Sequence, residues 1–398
     1  MQNENRSYTA PIALLTMLFF MWGFITVLND ILIPHLKKLF DLNNAQAMLV
    51  QFTFFGAYFT MSLPAGWIIG RIGYQKGIML GLATTGLGAL LFYPSSIFAS
   101  YAFFLFSFFV LASGITFLQV AANPFVTFLG KPEHASSRLS LTQGFNSLGT
   151  AIAPSFGAFL ILKNDFASPL EEARSVQLPY IAIACVLFLL AALFFYVKLP
   201  VIVAENKKVN TGMSLWRDKK LMLGALGIFM YVGAEVAIGS FLVLFLKEKN
   251  IANLAEQEAG FYVSLYWGGA MIGRFIGFIA QKFILPTRVL AFNALMVIIL
   301  ILITIFMEGK ISMWALLAVG IFNSIMFPTL FSISIEGLGE NTSKGSGILV
   351  MAIVGGAVVP FLMGLVSDQV GIQSAFFVTL ICYFYILILA LLGNKINV

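Results

Sequence analysis

Asp30 lies in the middle of MWGFITVLNDILIPHL (21–36), a stretch otherwise apolar enough to sit in hydrocarbon. A charge at mid-bilayer costs roughly 2.5–3.5 kcal/mol on insertion scales, so a carboxylate kept there points to an ion pathway or a proton relay. Glu235 in YVGAEVAIGSF (231–241) is a second such acid, and Arg274 in WGGAMIGRFIG (267–277) is the intramembrane cation. A carboxylate buried without a counter-charge can take up and release a proton in the physiological range. The bland alternative is a permanent ion pair with Arg274, but one arginine does not easily satisfy two acids. At least one of Asp30 and Glu235 is therefore expected to titrate.

Side-chain amides form a second constellation. Gln119 and Asn123 in GITFLQVAANPF (114–125) are four residues apart, and Gln143 and Asn146 in LTQGFNSLG (141–149) are three apart, so each pair shares a helix face. Amides offer donors and acceptors together, which suits a neutral polyhydroxylated ligand such as a sugar; the alternative is hydrogen bonding between helices with no ligand. Asn29, beside Asp30, and Asn323, five residues before Pro328 as Gln119 is before Pro124, join the candidate ligand set. Trp22, Tyr231, Tyr266 and Trp267 are candidates to stack on sugar C–H faces, Trp267 first. Pro124 deprives the Val120 carbonyl of its helical donor. HExxH, GxSxG, Walker A and Cys/His metal spacings are absent, which argues against an enzyme and against a resident cofactor.

These residues need a membrane around them. Of 398 residues 60% are hydrophobic and 10% charged, against about a quarter charged in soluble domains. Apolar runs of about 20 residues, enough to cross hydrocarbon as helix, recur along the chain and define twelve spans, the first over 10–34 and the last over 373–394. The expected fold is an all-α membrane protein. Carboxylates and amides occupy spans 1, 2, 4, 5, 7 and 10, and the interiors of spans 3, 6 and 12 lack them, so every third helix reads as peripheral. Cys185 and Cys382 read as small buried hydrophobes. Lys and Arg favour one set of loops by about two to one, which puts both termini in the cytoplasm and accounts for the net charge of +6 without a nucleic-acid partner.

The polar, basic stretch 199–218 falls at mid-chain and divides a six-helix bundle over 1–198 from another over 219–398. Local patterns recur about 200 residues apart, as duplicated halves require: GWIIGR (66–71) with GFIAQK (277–282), GTAIAP (149–154) with GGAVVP (355–360), and the amide–proline spacings of spans 4 and 10. Gly269, Gly273 and Gly277 form a small-residue stripe suited to close helix packing.

With GRIGYQKG (70–77) between spans 2 and 3, the chain resembles the major facilitator superfamily throughout its length, departing at Gly70, where an acid is usual. The segments WGFITVLNDILIPHL, GITFLQVAANPFVTFLG, SSRLSLTQGFNSLGT, YVGAEVAIGSF and FPTLFSISIEGLG are similar to the fucose:proton symporter group, within it to the bacterial glucose/galactose transporter branch. That resemblance implies two pseudo-symmetric six-helix bundles, spans 1, 4, 7 and 10 around a central cavity, and monomeric, cation-driven sugar uptake across the bacterial inner membrane. It implies that Asp30 is the essential acid of the NDIL motif. The group's second essential acid falls on Gln119, so Glu235 is expected to supply the second carboxylate and the substrate to shift from fucose towards glucose, galactose or N-acetylglucosamine. Arg71, Arg274 and Glu336 are the expected structural or gating charges. H⁺ is the expected coupling ion and Na⁺ its alternative, with ligands from the two acids and the carbonyls freed by Pro124 or Pro328. An export carrier and a transport-dead sugar sensor are the rival classes.

Overall fold

In hydrocarbon every backbone N–H and C=O must be satisfied within the chain, which for apolar stretches of this length means helix. The computed structural model of the chain describes residues 9–160, 174–197, 199 and 215–393, and among them there is no strand. The first nine helices each correspond to one span. They are α1 Thr9–Leu39, α2 Asn44–Ile72, α3 Tyr74–Phe98, α4 Tyr101–Phe128, α5 Ala135–Leu160, α6 Gln177–Tyr196, α7 Lys219–Lys247, α8 Glu256–Ala280 and α9 Pro286–Phe306. The tenth span is split into α10 Gly309–Asn323 and α11 Met326–Ile335, the eleventh into α12 Thr342–Met351 and α13 Gly355–Val370, and the twelfth into α14 Ile372–Ala375 and α15 Phe377–Gly393. Eleven described segments are long and apolar enough to cross a membrane. The exception is α5, whose first half, SSRLSLTQGFNS, is polar.

Helix starts follow local chemistry. Asn43 and Gln46 exchange side-chain and backbone hydrogen bonds at 2.8 and 3.0 Å, a capping box at the start of α2. The Asp218 side chain accepts from the Leu221 N–H at 3.0 Å and caps α7. Gly73 turns the chain between α2 and α3 at φ 87°, a conformation that disfavours any side chain.

The chain forms two compact units. One comprises Met1–Gly130, Leu148–Lys207 and Leu338–Met351; the other comprises Lys131–Ser147, Lys208–Gly337 and Ala352–Val398. Each unit thus takes one segment from the opposite half of the sequence. Most of the predicted link over 199–218 lies outside the described residues.

Within the first unit α2 packs on α4, α3 on α4 and α3 on α6; within the second, α8 packs on α10, α9 on α10 and α9 on α15. Those are the same pairs displaced by six spans. Amides at helix ends secure the outer pairs: Gln75 donates to the carbonyls of Phe194 and Val197 at 2.6 and 2.9 Å, and Gln373 to those of Thr304 and Met307 at 2.9 and 2.7 Å. The repeated GTAIAP and GGAVVP motifs have a matching cause. A Cβ on Gly149 would lie 2.2 Å from the Phe20 carbonyl oxygen of α1, and one on Gly355 2.1 Å from the Phe229 carbonyl oxygen of α7. The glycine stripe of α8 packs as expected, because a Cβ on Gly273 would meet the Ile321 carbonyl oxygen at 2.2 Å and one on Gly277 the Ile325 side chain at 2.0 Å.

Candidate transport site

In the first unit, α4 turns Gln119 and Asn123 inward. Gln119 is 5% exposed and its amide N–H donates to the Tyr58 hydroxyl of α2 at 2.7 Å; the Trp22 indole of α1 is buried. Asn123 is fully buried, and neither its amide nitrogen nor its oxygen has a partner among the described residues. One turn away, the Val120 carbonyl left without a donor by Pro124 accepts from the Ser346 hydroxyl of α12 at 3.0 Å. Asn29 and Asp30 lie within α1, but their side chains fall outside what the structure describes.

The second unit repeats the amide–phenol pair. Asn323 at the end of α10 donates to the Tyr266 hydroxyl of α8 at 2.8 Å and accepts from the Tyr383 hydroxyl of α15 at 2.7 Å. Asn323 has no exposed surface, and its two bonds tie three helices together. Trp267 packs its ring edge-on to Tyr266, with centroids 5.1 Å apart, and lies over Gly239 of α7.

Glu235 of α7 is 8% exposed and accepts from the Tyr231 hydroxyl, one turn earlier, at 2.7 Å. Arg274 Nη2 is 4.0 Å from the same carboxylate oxygen, beyond hydrogen-bond reach. Its other donors are committed elsewhere. Nε donates at 3.2 Å to the Ser324 carbonyl, the group that Pro328 deprives of a helical donor, and Nη1 donates to the Gln143 carbonyl at 3.2 Å and to the Ser147 hydroxyl, both on α5. Arg274 and Glu235 therefore form a loose ion pair without a hydrogen bond between them. Gln143 is buried and Asn146 half-buried on the same stretch of α5.

The remaining predicted charges make other contacts. Arg71 stacks over the Trp67 ring at 3.6 Å. Glu336 pairs with Lys220 at 3.3 Å in an exposed position, where such a pair contributes at most about 1 kcal/mol. The sequence reading missed Tyr58 and Tyr383, because a tyrosine in an apolar run counts as hydrophobic until its hydroxyl is seen to find an amide.

A sequence profile of the Major Facilitator Superfamily matches residues 13–353. The chain belongs to the major facilitator superfamily. It is a multi-pass membrane transporter and not an enzyme. It is 52% identical over 396 residues to a glucose/galactose transporter of Brucella abortus biovar 1 (strain 9-941), covering 99% of this chain and 96% of that one. It is 38% identical to an L-fucose-proton symporter of Escherichia coli (strain K12), covering 97% and 94%. Its structure matches the crystal structure of the superfamily transporter FucP in the outward conformation with a TM-score of 0.89 at 36% identity, covering 98% and 99%. These likenesses extend over both halves, as the repeated motifs require.

Proposed function

We propose that this protein imports a hexose of the glucose or galactose type together with protons, by alternating access, across a bacterial inner membrane with both termini in the cytoplasm. The relatives named as glucose/galactose and fucose carriers support the sugar. The amides of α4 and α5 supply the uncharged donors and acceptors a sugar needs, and Asn123 retains an unused pair of them.

The observation that carries the proton reading is the fate of the two freed carbonyls. A sodium site would need several oxygens at once. Yet the Val120 carbonyl already accepts from Ser346, and the Ser324 carbonyl accepts from the guanidinium of Arg274, a cation that repels another. Glu235, a buried carboxyl with no cation within hydrogen-bond distance, is suited to exchange a proton instead. Asp30 is the principal coupling carboxylate, protonated from outside and deprotonated towards the cytoplasm. Each proton entering down 100 mV supplies about 2.3 kcal/mol, or roughly fifty-fold sugar accumulation.

Uptake of radiolabelled glucose, galactose, fucose and N-acetylglucosamine into transporter-deficient bacterial cells expressing the protein tests the substrate. Accumulation of glucose or galactose that a protonophore abolishes is expected; failure to take up any of the four contradicts the reading.

A further inference from the structure

We propose that Arg274 is a positioning residue that carries the charge state of Glu235 to the amide-bearing face of α5, so that proton binding on α7 and sugar binding on α5 share one guanidinium. The proposal rests on the reading of the chain as a proton-coupled sugar carrier and assigns the residue that joins the two events.

Arg274 stands between the two sites. On one side it grips the Gln143 carbonyl and the Ser147 hydroxyl, positions four apart that bracket Asn146 on α5. On the other side Nη2 points to Glu235 Oε1 from 4.0 Å, about an ångström beyond contact. Its neighbour Phe275 presses on the same turn of α5, where a Cβ on Gly144 would meet the ring at 3.0 Å. The amide-bearing turn of α5 is thereby set by consecutive residues of α8.

Among the described residues of the helices packed on α7, the charged and titratable groups facing Glu235 are Arg274 and Tyr266 on α8 and Tyr383 on α15, with Tyr231 on its own helix. The tyrosines bring hydroxyls and Arg274 brings the charge. When Glu235 is neutral, the carbonyl and hydroxyl of α5, which Nη1 contacts in this structure, are the better acceptors. An ionised carboxylate carries a full negative charge that the carbonyl and hydroxyl of α5 lack, and at this separation it draws the guanidinium over. Gln143 and Ser147 then lose the Arg274 contact, and the turn that holds Asn146 is loosened. Proton binding favours the sugar site through this exchange, and by reciprocity a bound sugar favours the protonated acid.

Equilibrium binding of D-glucose and D-galactose to the purified full-length protein in detergent, with no gradient present, tests this at pH 6 and pH 8. Wild-type affinity is expected to weaken on the order of tenfold between the two. Glu235→Gln should remove part of that shift, Arg274→Lys the same part, and the double variant no more than either, since an ammonium cannot span the three acceptors that a guanidinium reaches. Ser147→Ala, which leaves every charge in place, should weaken binding several-fold at pH 6 and leave it unchanged at pH 8. An Arg274→Lys protein that keeps the shift lost in Glu235→Gln overturns the proposal. So does a Ser147→Ala protein weakened equally at both pH values, and this variant decides the matter if Arg274→Lys does not fold. A wild-type protein that binds neither hexose contradicts the sugar reading itself, whereas hexose binding with an Arg274-independent shift contradicts only the role of Arg274.

Discussion

Asn123 is buried with both of its polar groups unpaired among the described residues, and burial of an unsatisfied amide costs about 1–3 kcal/mol. A residue retained at that cost is better explained by a partner that arrives during transport than by packing. Replacing Asn123 by Leu is thus expected to leave the thermal midpoint in detergent unchanged or raised, while the KM for sugar rises about tenfold, a loss within the range for one buried hydrogen bond. A lowered midpoint with an unchanged KM would make the amide structural. Asp30 belongs to the same scale, though its place in the account comes from the NDIL motif. Asp30→Asn should abolish accumulation against a gradient and retain exchange of labelled for unlabelled sugar; full active accumulation by this variant removes Asp30 from coupling.

Between elements, the two prolines illustrate how a sequence rule becomes a contact. Each frees one carbonyl, and each carbonyl is claimed by a side chain from another helix, Ser346 in the first unit and Arg274 in the second. Ser346→Ala should lower stability by about 1–3 kcal/mol by orphaning the Val120 carbonyl. In a Pro124→Ala background, where the N–H of residue 124 is restored, the same change should cost much less; equal losses in both backgrounds, read from unfolding midpoints, would show that the hydroxyl acts elsewhere. Gly149→Ala and Gly355→Ala should each destabilise, because the added methyl meets a backbone carbonyl and overpacking of this kind costs about 1–3 kcal/mol or more. The prolines, the repeated glycines and the spacing of the amides are visible in sequence because they follow the helical period and recur in both halves. What the amides bond to is not visible. Tyr266 and Tyr383 reach Asn323 from spans 8 and 12, and the twelfth span had read as peripheral because its interior lacks charged and amide groups. Nor does spacing alone show that Arg274 spends its donors on α5 and the tenth span before Glu235.

For the whole molecule, the deciding property is which gradient does the work. A proton-coupled carrier must concentrate sugar when pH is the sole gradient, and the guanidinium on the Ser324 carbonyl leaves a sodium ion no such ligand there. The direct measurement is uptake of radiolabelled galactose or glucose by proteoliposomes containing the purified protein. A pH gradient, acid outside, in sodium-free buffer should drive accumulation above the external concentration, and an inward sodium gradient at equal pH, with the membrane potential clamped, should not. Accumulation driven by sodium alone would contradict the proton assignment and make Asp30 a cation ligand.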